Sequence, residues 1–179
     1  MAKKQDNSSL KIGTWPTAWG LMGGVISPVG LVHVVLPHNS PSDLRDTLAW
    51  EFSGAQWDND AFVAVGDLCR DYFNGKIVDF SSVPCDLAST GPFGRKVLAT
   101  CQQIAYGQTR TYTALAELAG ESGKARAVAQ ALGKNPIPLI IPCHRVIAMG
   151  GGLCGFSAPG GIETKRRMLE LETRKNCGL

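Results

Sequence analysis

A chain of 179 residues with a net charge of +3 can bury a core without disulfide staples, and no apolar run in it approaches the length of a membrane span. Its six cysteines, at 69, 85, 101, 143, 154 and 177, never form a Cys-x-x-Cys pair, which argues against a zinc ribbon or a thioredoxin-like motif and fits reduced thiols in a cytoplasmic protein. The charge is uneven: residues 1–90 carry 6 Lys+Arg against 10 Asp+Glu, net −4, and residues 91–179 carry 12 against 5, net +7, so the second half suits a polyanion such as nucleic acid unless the excess is only a solvated surface.

Residues 1–9 place no apolar segment behind their lysines, so no export signal is expected there. From Leu21 to Leu36 apolar stretches flank Ser27-Pro28-Val29-Gly30, which predicts a hairpin. Ser40-Pro41-Ser42-Asp43 supplies a cap, a proline at the first helical position and an early acid, so a helix is expected to about Trp50. Between Asp60 and Asn74 the residues Phe62, Val65, Cys69, Tyr72 and Phe73 share one face, with Gly75 placed for a left-handed cap. Ile77 to Phe80 reads as a short strand and the stretch from Ser81 to Pro92 as linker. The expected organisation is therefore an α+β unit over 1–90 and a mostly helical unit over 91–179.

In the second unit Pro92 opens a helix whose stripe is Phe93, Val97, Cys101, Ile104 and Ala105, ending at Gly107. Thr111 can cap a helix from Tyr112 to Ala119, and after Gly120-Glu121-Ser122-Gly123 another runs from Lys124 to Leu132, with Ala125, Val128, Ala129 and Leu132 inward and Gly133 as cap. Two short helices joined by a glycine-bearing turn are the outline of a helix-turn-helix. The outward side of the second, Arg126, Ala127, Gln130 and Ala131, sets one guanidinium among small neighbours. Such a face either packs on another helix or lets the axis approach a narrow DNA groove, with Arg126 free to reach between bases. A last helix is expected from about Ile162 to Glu172, anchored by Leu169; its Lys165-Arg166-Arg167 run is either a phosphate contact or a solvated face paired with Glu163.

The chemistry centres on Ile140-Ile141-Pro142-Cys143-His144-Arg145-Val146-Ile147. A thiol attacks only as thiolate, and a nearby imidazole is the common means of making one, so Cys143 is the candidate nucleophile. Cys154 has no adjacent histidine and reads as a packed or incidental thiol. His33, His38, Cys69 and Cys85 have no recognisable ligand spacing, so no metal is expected.

Pro142-Cys143-His144-Arg145-Val146, preceded by Gly133-Lys134-Asn135-Pro136-Ile137-Pro138 and followed by Gly155-Phe156-Ser157, resembles the active-site signature of the O6-alkylguanine-DNA alkyltransferases. The resemblance covers nearly all of 91–172 and, more loosely, the preceding half, where it implies a ribonuclease H-like unit. It implies irreversible, single-turnover transfer of a methyl or other small alkyl group from O6 of guanine, and from O4 of thymine, to Cys143. By the same resemblance His144 acts as base through a bridging water, Glu172 orients it, and Tyr112 gives a proton to the base. Val146, Phe156 and Ser157 line the substrate pocket and Asn135 is a hinge. Arg126 fills the gap left by a flipped nucleotide, and Ala125, Ala127, Gln130, Lys124 and Thr111 meet the DNA. No cofactor, a monomeric state, a double-stranded DNA partner bearing O6-alkylguanine and a cytoplasmic, nucleoid-associated location are also implied. The stretch Ser157-Ala158-Pro159-Gly160-Gly161 is longer and more proline-bearing than in some relatives. Two other readings stay open: an alkyltransferase-like protein that binds damage without transfer, which the presence of Cys143 opposes, and a cysteine hydrolase, which has no use for Arg126 on an alanine-lined helix.

Overall fold

The structure, a computed structural model, describes residues 7–38 and 40–173; Cys177 and residues 1–6 lie outside that range. It is mixed α+β, as expected. Strands β1 (Lys11–Thr17), β2 (Gly20–Ile26) and β3 (Leu31–His38) form an antiparallel meander, and the short β4 (Gln56–Trp57) joins β1 in parallel, giving the order β3-β2-β1-β4. The expected hairpin is β2–β3, with Leu21 opposite His38 and Ile26 opposite Leu31. No reading of the sequence anticipated β1, because Ile12, Trp15 and Thr14 are buried alike and the two-residue alternation that marks a half-solvated strand is missing.

Both faces of the sheet are covered. Helix α1 (Pro41–Glu51), whose Ser40 hydroxyl accepts the Asp43 amide as N-cap, lays Leu44 and Leu48 on Ile12 and Val25. On the other face lie Phe62, in a 3₁₀ turn (Asn59–Phe62), and helix α2 (Val63–Phe73), which pack on Trp15 and Met22. Gly13 explains the close fit: a β-carbon there would stand 2.5 Å from the Phe62 ring. After α2, Gly75 adopts φ +76° and donates to the Tyr72 carbonyl, the predicted left-handed stop.

Ile77–Phe80 is not a strand. Val78 and Phe80 are buried while Ile77 is exposed, so the segment alternates as a strand would but packs by side chain without joining a ladder. The linker instead meets the free edge of β3: Leu31 donates to the Pro84 carbonyl and Asp86 to the Leu31 carbonyl.

Four helices follow: α3 (Pro92–Gln102), α4 (Tyr112–Leu118), α5 (Ala125–Gly133) and α6 (Gly161–Thr173). The stripe on α3 is Val97, Leu98 and Cys101; Ala105 is exposed because the helix stops at Gln102, short of its expected end. Thr111 caps α4 by accepting the Ala114 amide, and Gly120 and Gly123 turn the chain at φ +65° and +79°. Gly133 ends α5 but is not left-handed; Lys134 closes the helix at φ −106°. On α6 the inward residues are Lys165, Met168 and Glu172, with Leu169 only half-buried, so the expected anchor is one position off. A two-stranded parallel ladder, β5 (Arg110–Thr111) with β6 (Val146–Ile147), ties the start of α4 to the Cys143 segment. One apolar cluster runs without a break from Trp15 and Tyr72 to Cys143 and Met168.

Candidate active site

Cys143 opens a single 3₁₀ turn, Cys143–Arg145, between Pro142 and β6, and the turn points successive side chains in different directions. Cys143 is 8% exposed. Burial pushes its thiol pKa up, against a hydrogen bond from Asn135 and the positive charge of Lys165, so the resting group is a thiol that needs a base. Asn135 is fully engaged: Nδ2 donates to the Ile141 carbonyl at 2.9 Å and to Cys143 Sγ at 3.2 Å, and Oδ1 accepts the Ile137 amide at 3.0 Å. One side chain thus fixes the strap from 135 to 143 and touches the sulfur.

His144 and Arg145 turn the other way, onto Glu172. His144 Nε2 lies 2.8 Å from Glu172 Oε1. Arg145 Nε and Nη2 reach the same carboxylate at 3.0–3.1 Å, and its Nη1 donates to the Ile104 carbonyl at 2.6 Å. The Gly107 amide donates to Oε2 at 2.9 Å, and the Tyr72 hydroxyl to Oε1 at 2.9 Å. Glu172 is 1% exposed. Its burial favours the neutral form, but His144 and Arg145 outweigh that and bring its pKa down to about 2.

An ionised carboxylate can only accept, so His144 must present Nε2–H to it. Burial lowers the imidazole pKa and keeps the ring neutral, which leaves Nδ1 as the lone-pair nitrogen. That Nδ1 is buried and has no hydrogen-bond partner. The arrangement therefore provides a thiol, a neutral imidazole with one free basic nitrogen, and a carboxylate that fixes its tautomer.

Beside Cys143 is a recess of about 20 Å³ lined by Tyr112, Ala129, Leu132, Gly133, Phe156 and Ser157. It opens on a groove of about 620 Å³ bordered by Tyr112, Ala125, Arg126, Ala129, Gly133 and the stretch from Cys154 to Ser157. Tyr112 is half-buried, and burial with the neighbouring cysteines raises its pKa, so it keeps its proton. The open face of α5 differs from the one expected. Ala129 borders the groove with Ala125, both of which were expected inward, whereas Ala131 packs on the core beside Leu132. Ala127 is half-buried and Gln130 exposed, both off the groove. Lys124 turns back to pair with Glu121 at 2.6 Å and to lie 5.8 Å from the Phe93 ring centre, and the Thr111 hydroxyl serves its cap.

Three residues at the site escaped the sequence reading. Arg145 stood inside the quoted signature, but nothing local says that its guanidinium turns inward. Tyr72 was recognised only as part of an apolar stripe. Lys165 was expected on a solvated face or at a phosphate; it is 1% exposed, donates to the Val146 carbonyl at 2.6 Å and lies 5.9 Å from the Tyr112 ring centre. Of its neighbours, Arg166 pairs with Glu163 as expected, whereas Arg167 lies over Trp19, 4.2 Å from its ring centre. The signal available was helical spacing, since 165, 168 and 172 share one face. Lys165→Met is expected to raise the Cys143 pKa and slow alkylation of that thiol by iodoacetamide about tenfold at neutral pH, with recovery in alkali. Rates that match the unsubstituted protein at every pH would remove Lys165 from the site.

Residues 92–174 match the family described as 6-O-methylguanine DNA methyltransferase, DNA binding domain. The methylated-DNA--protein-cysteine methyltransferase of Mycobacterium tuberculosis is 43% identical over 125 residues, 69% of this chain and 73% of the relative. Its counterpart from Metallosphaera sedula is 44% identical over 115 residues, 64% of this chain and 70% of the relative. Among solved structures, Mycobacterium tuberculosis O6-methylguanine methyltransferase superposes with a TM-score of 0.74 at 33% identity, covering 92% of this chain and 93% of that one. The structure of Mycobacterium tuberculosis OGT in complex with DNA gives 0.75 at 33% identity, covering 92% and 94%.

Proposed function

Because the chain belongs to the methylated-DNA--protein-cysteine methyltransferase family, we propose that it repairs DNA by moving an alkyl group from O6 of guanine onto Cys143. The observation that carries this reading is the constellation itself: a buried thiol held by Asn135 and, on the next residue, an imidazole whose tautomer Glu172 fixes. DNA is the partner, met by the +7 half; residues 1–90 form a ribonuclease H-like support and α4–turn–α5 a helix-turn-helix, with the division near residue 90.

In the reaction His144 Nδ1 takes the thiol proton through a bridging water, and Sγ attacks the saturated carbon on O6. The S–C bond forms as the C–O6 bond breaks, and the electron pair leaves with the base. Tyr112 gives the base a proton, and the one held by His144 replaces it, so the net products are an S-alkyl cysteine and guanine. A thioether has no easy way back, so each molecule acts once. Transfer from O4 of thymine follows the same steps.

O6 of a paired guanine lies inside the stack, so the nucleotide has to be flipped out toward Cys143. Arg126, exposed beside small Ala125 and Ala129, is the residue that fills the gap, and the groove takes the flipped nucleotide. The recess at Cys143, about 20 Å³, is far too small for a purine, so Tyr112 or the Gly155–Ser157 stretch moves aside for a base. Phe156 and Ser157 then pack on it, and the carbonyls of Cys143 and Val146 read its exocyclic amine. The Val146 carbonyl already accepts Lys165, and a carbonyl oxygen has a second lone pair for that task.

Mass spectrometry after mixing with duplex DNA containing O6-methylguanine tests the reading. One added methyl per molecule, on Cys143 and absent from Cys143→Ala, is expected. An unmodified chain that still binds the DNA would leave a damage-binding protein, and repeated turnover without a mass change would leave a hydrolase.

A further inference from the structure

Tyr72 sits on α2, 100 positions before Glu172 and outside the half that carries the signature, yet its hydroxyl is 2.9 Å from Glu172 Oε1 and 3.4 Å from His144 Nε2. The side chain is fully buried, and Phe73 and Tyr106 meet its ring edge-on at 5.1 and 5.9 Å, which leaves it little freedom.

Arg145 grips the carboxylate from one side only. Its Nε contacts both oxygens, at 3.1 and 3.0 Å, and its Nη2 contacts Oε1 at 3.0 Å, so the carboxylate can still tilt about that edge while keeping the ion pair. Two donors from other directions remove that freedom: the Gly107 amide on Oε2 and the Tyr72 hydroxyl on Oε1. Oε1 is also the atom that receives His144.

We propose that Tyr72 is a positioning residue of the alkyl-transfer site, holding Glu172 Oε1 where it receives His144 Nε2–H and so keeping Nδ1 as the base. This rests on the function proposed above. The groups facing Tyr72 are Glu172, Arg145, Tyr106 and His144; burial first, and then the Glu172 charge, raise its pKa, so it stays a donor. Its own proton is committed to Glu172, which leaves its oxygen only a long, weak contact with His144. The amino-terminal half thereby contributes to the chemistry as well as to support.

Tyr72→Phe keeps the ring and removes the donor. Methyl transfer from duplex O6-methylguanine is expected to slow about tenfold, the scale of one hydrogen bond to a charged group. With one donor fewer, Glu172 holds an imidazolium more tightly, so the His144 pKa rises and the acid limb of the pH–rate profile moves to higher pH. The ¹⁵N resonances of the His144 ring are expected to shift with it. Adding Tyr72→Phe to His144→Asn is expected to cost nothing further, because Tyr72 acts through His144. Equal losses in both backgrounds with unmoved ring resonances would make Tyr72 a packing residue, and an unchanged rate and profile in the single variant would overturn the proposal outright. If the unsubstituted protein takes up no methyl, the alkyl-transfer reading fails, and the ring resonances still decide whether Tyr72 sets the His144 tautomer.

Discussion

Glu172→Gln is expected to slow alkyl transfer by roughly 100- to 1,000-fold, the scale of a lost general base, and to remove about 3 kcal/mol of stability. The carboxylate accepts from four residues at once: His144, Arg145, Gly107 and Tyr72. A carboxamide has one accepting atom, and its NH₂ would face a donor wherever it is turned. Arg145, 3% exposed, would keep its charge in the interior without a counter-ion. His144 would lose the partner that makes Nδ1 the free nitrogen. Single-turnover repair rates and thermal melting measure the two effects, and for a chain of this size the melting temperature is expected to fall by about 6–12 °C.

The same residue makes acid stability a test. Its folded pKa of about 2 lies below the 4.5 of a free glutamate, so its contribution is present above pH 4.5 and is lost as pH falls toward 2. A shift of that size corresponds to about 3 kcal/mol. Glu172→Gln is expected to lose that pH dependence along with the stability itself. A variant that melts and repairs like the unsubstituted protein would mean that Arg145 and His144 find other partners.

The sequence made the residues of the site legible, but not the directions in which they face. Cys143 and His144 could be picked out as a local thiol–imidazole pair, and Asn135 and Glu172 only through the family resemblance. The structure joins them by hydrogen bonds spanning 8 to 28 positions. Lys165 was misplaced and the direction of Arg145 went unread for one reason: a long cationic side chain defaults to solvent, and only tertiary partners such as the Ile104 and Val146 carbonyls justify burying it. Tyr72 was unreadable because its partner is 100 positions away. In the fold, capped helices such as α1 and α4 were legible from Ser40 and Thr111. β1 was not, since a strand covered on both faces carries no alternation. Ile77–Phe80 erred in the opposite sense: it has a strand's alternation and no partner to pair with.

Arg126→Ala is expected to slow repair of O6-methylguanine in duplex DNA by roughly 10- to 100-fold while changing the reaction with free O6-alkylated guanine by less than about twofold. Extruding a nucleotide costs a few kcal/mol, and a side chain that occupies the gap offsets part of it. A free base needs no extrusion, so the loss is confined to duplex. The geometry favours a specific effect, because Arg126 is exposed on the groove and its neighbours Ala125 and Ala129 are too small to substitute for it. Removing an exposed side chain also leaves melting nearly unchanged, which separates this variant from Glu172→Gln. Arg126→Lys tells charge from shape: it keeps the attraction to phosphate but lacks the flat guanidinium that stacks between bases. If the lysine variant repairs duplex as fast as arginine does, Arg126 acts through phosphate, and its rate will then fall with salt like that of any other cation on the +7 half. Equal losses on duplex and on free base would place Arg126 in the structure of α5 and leave another residue to fill the gap.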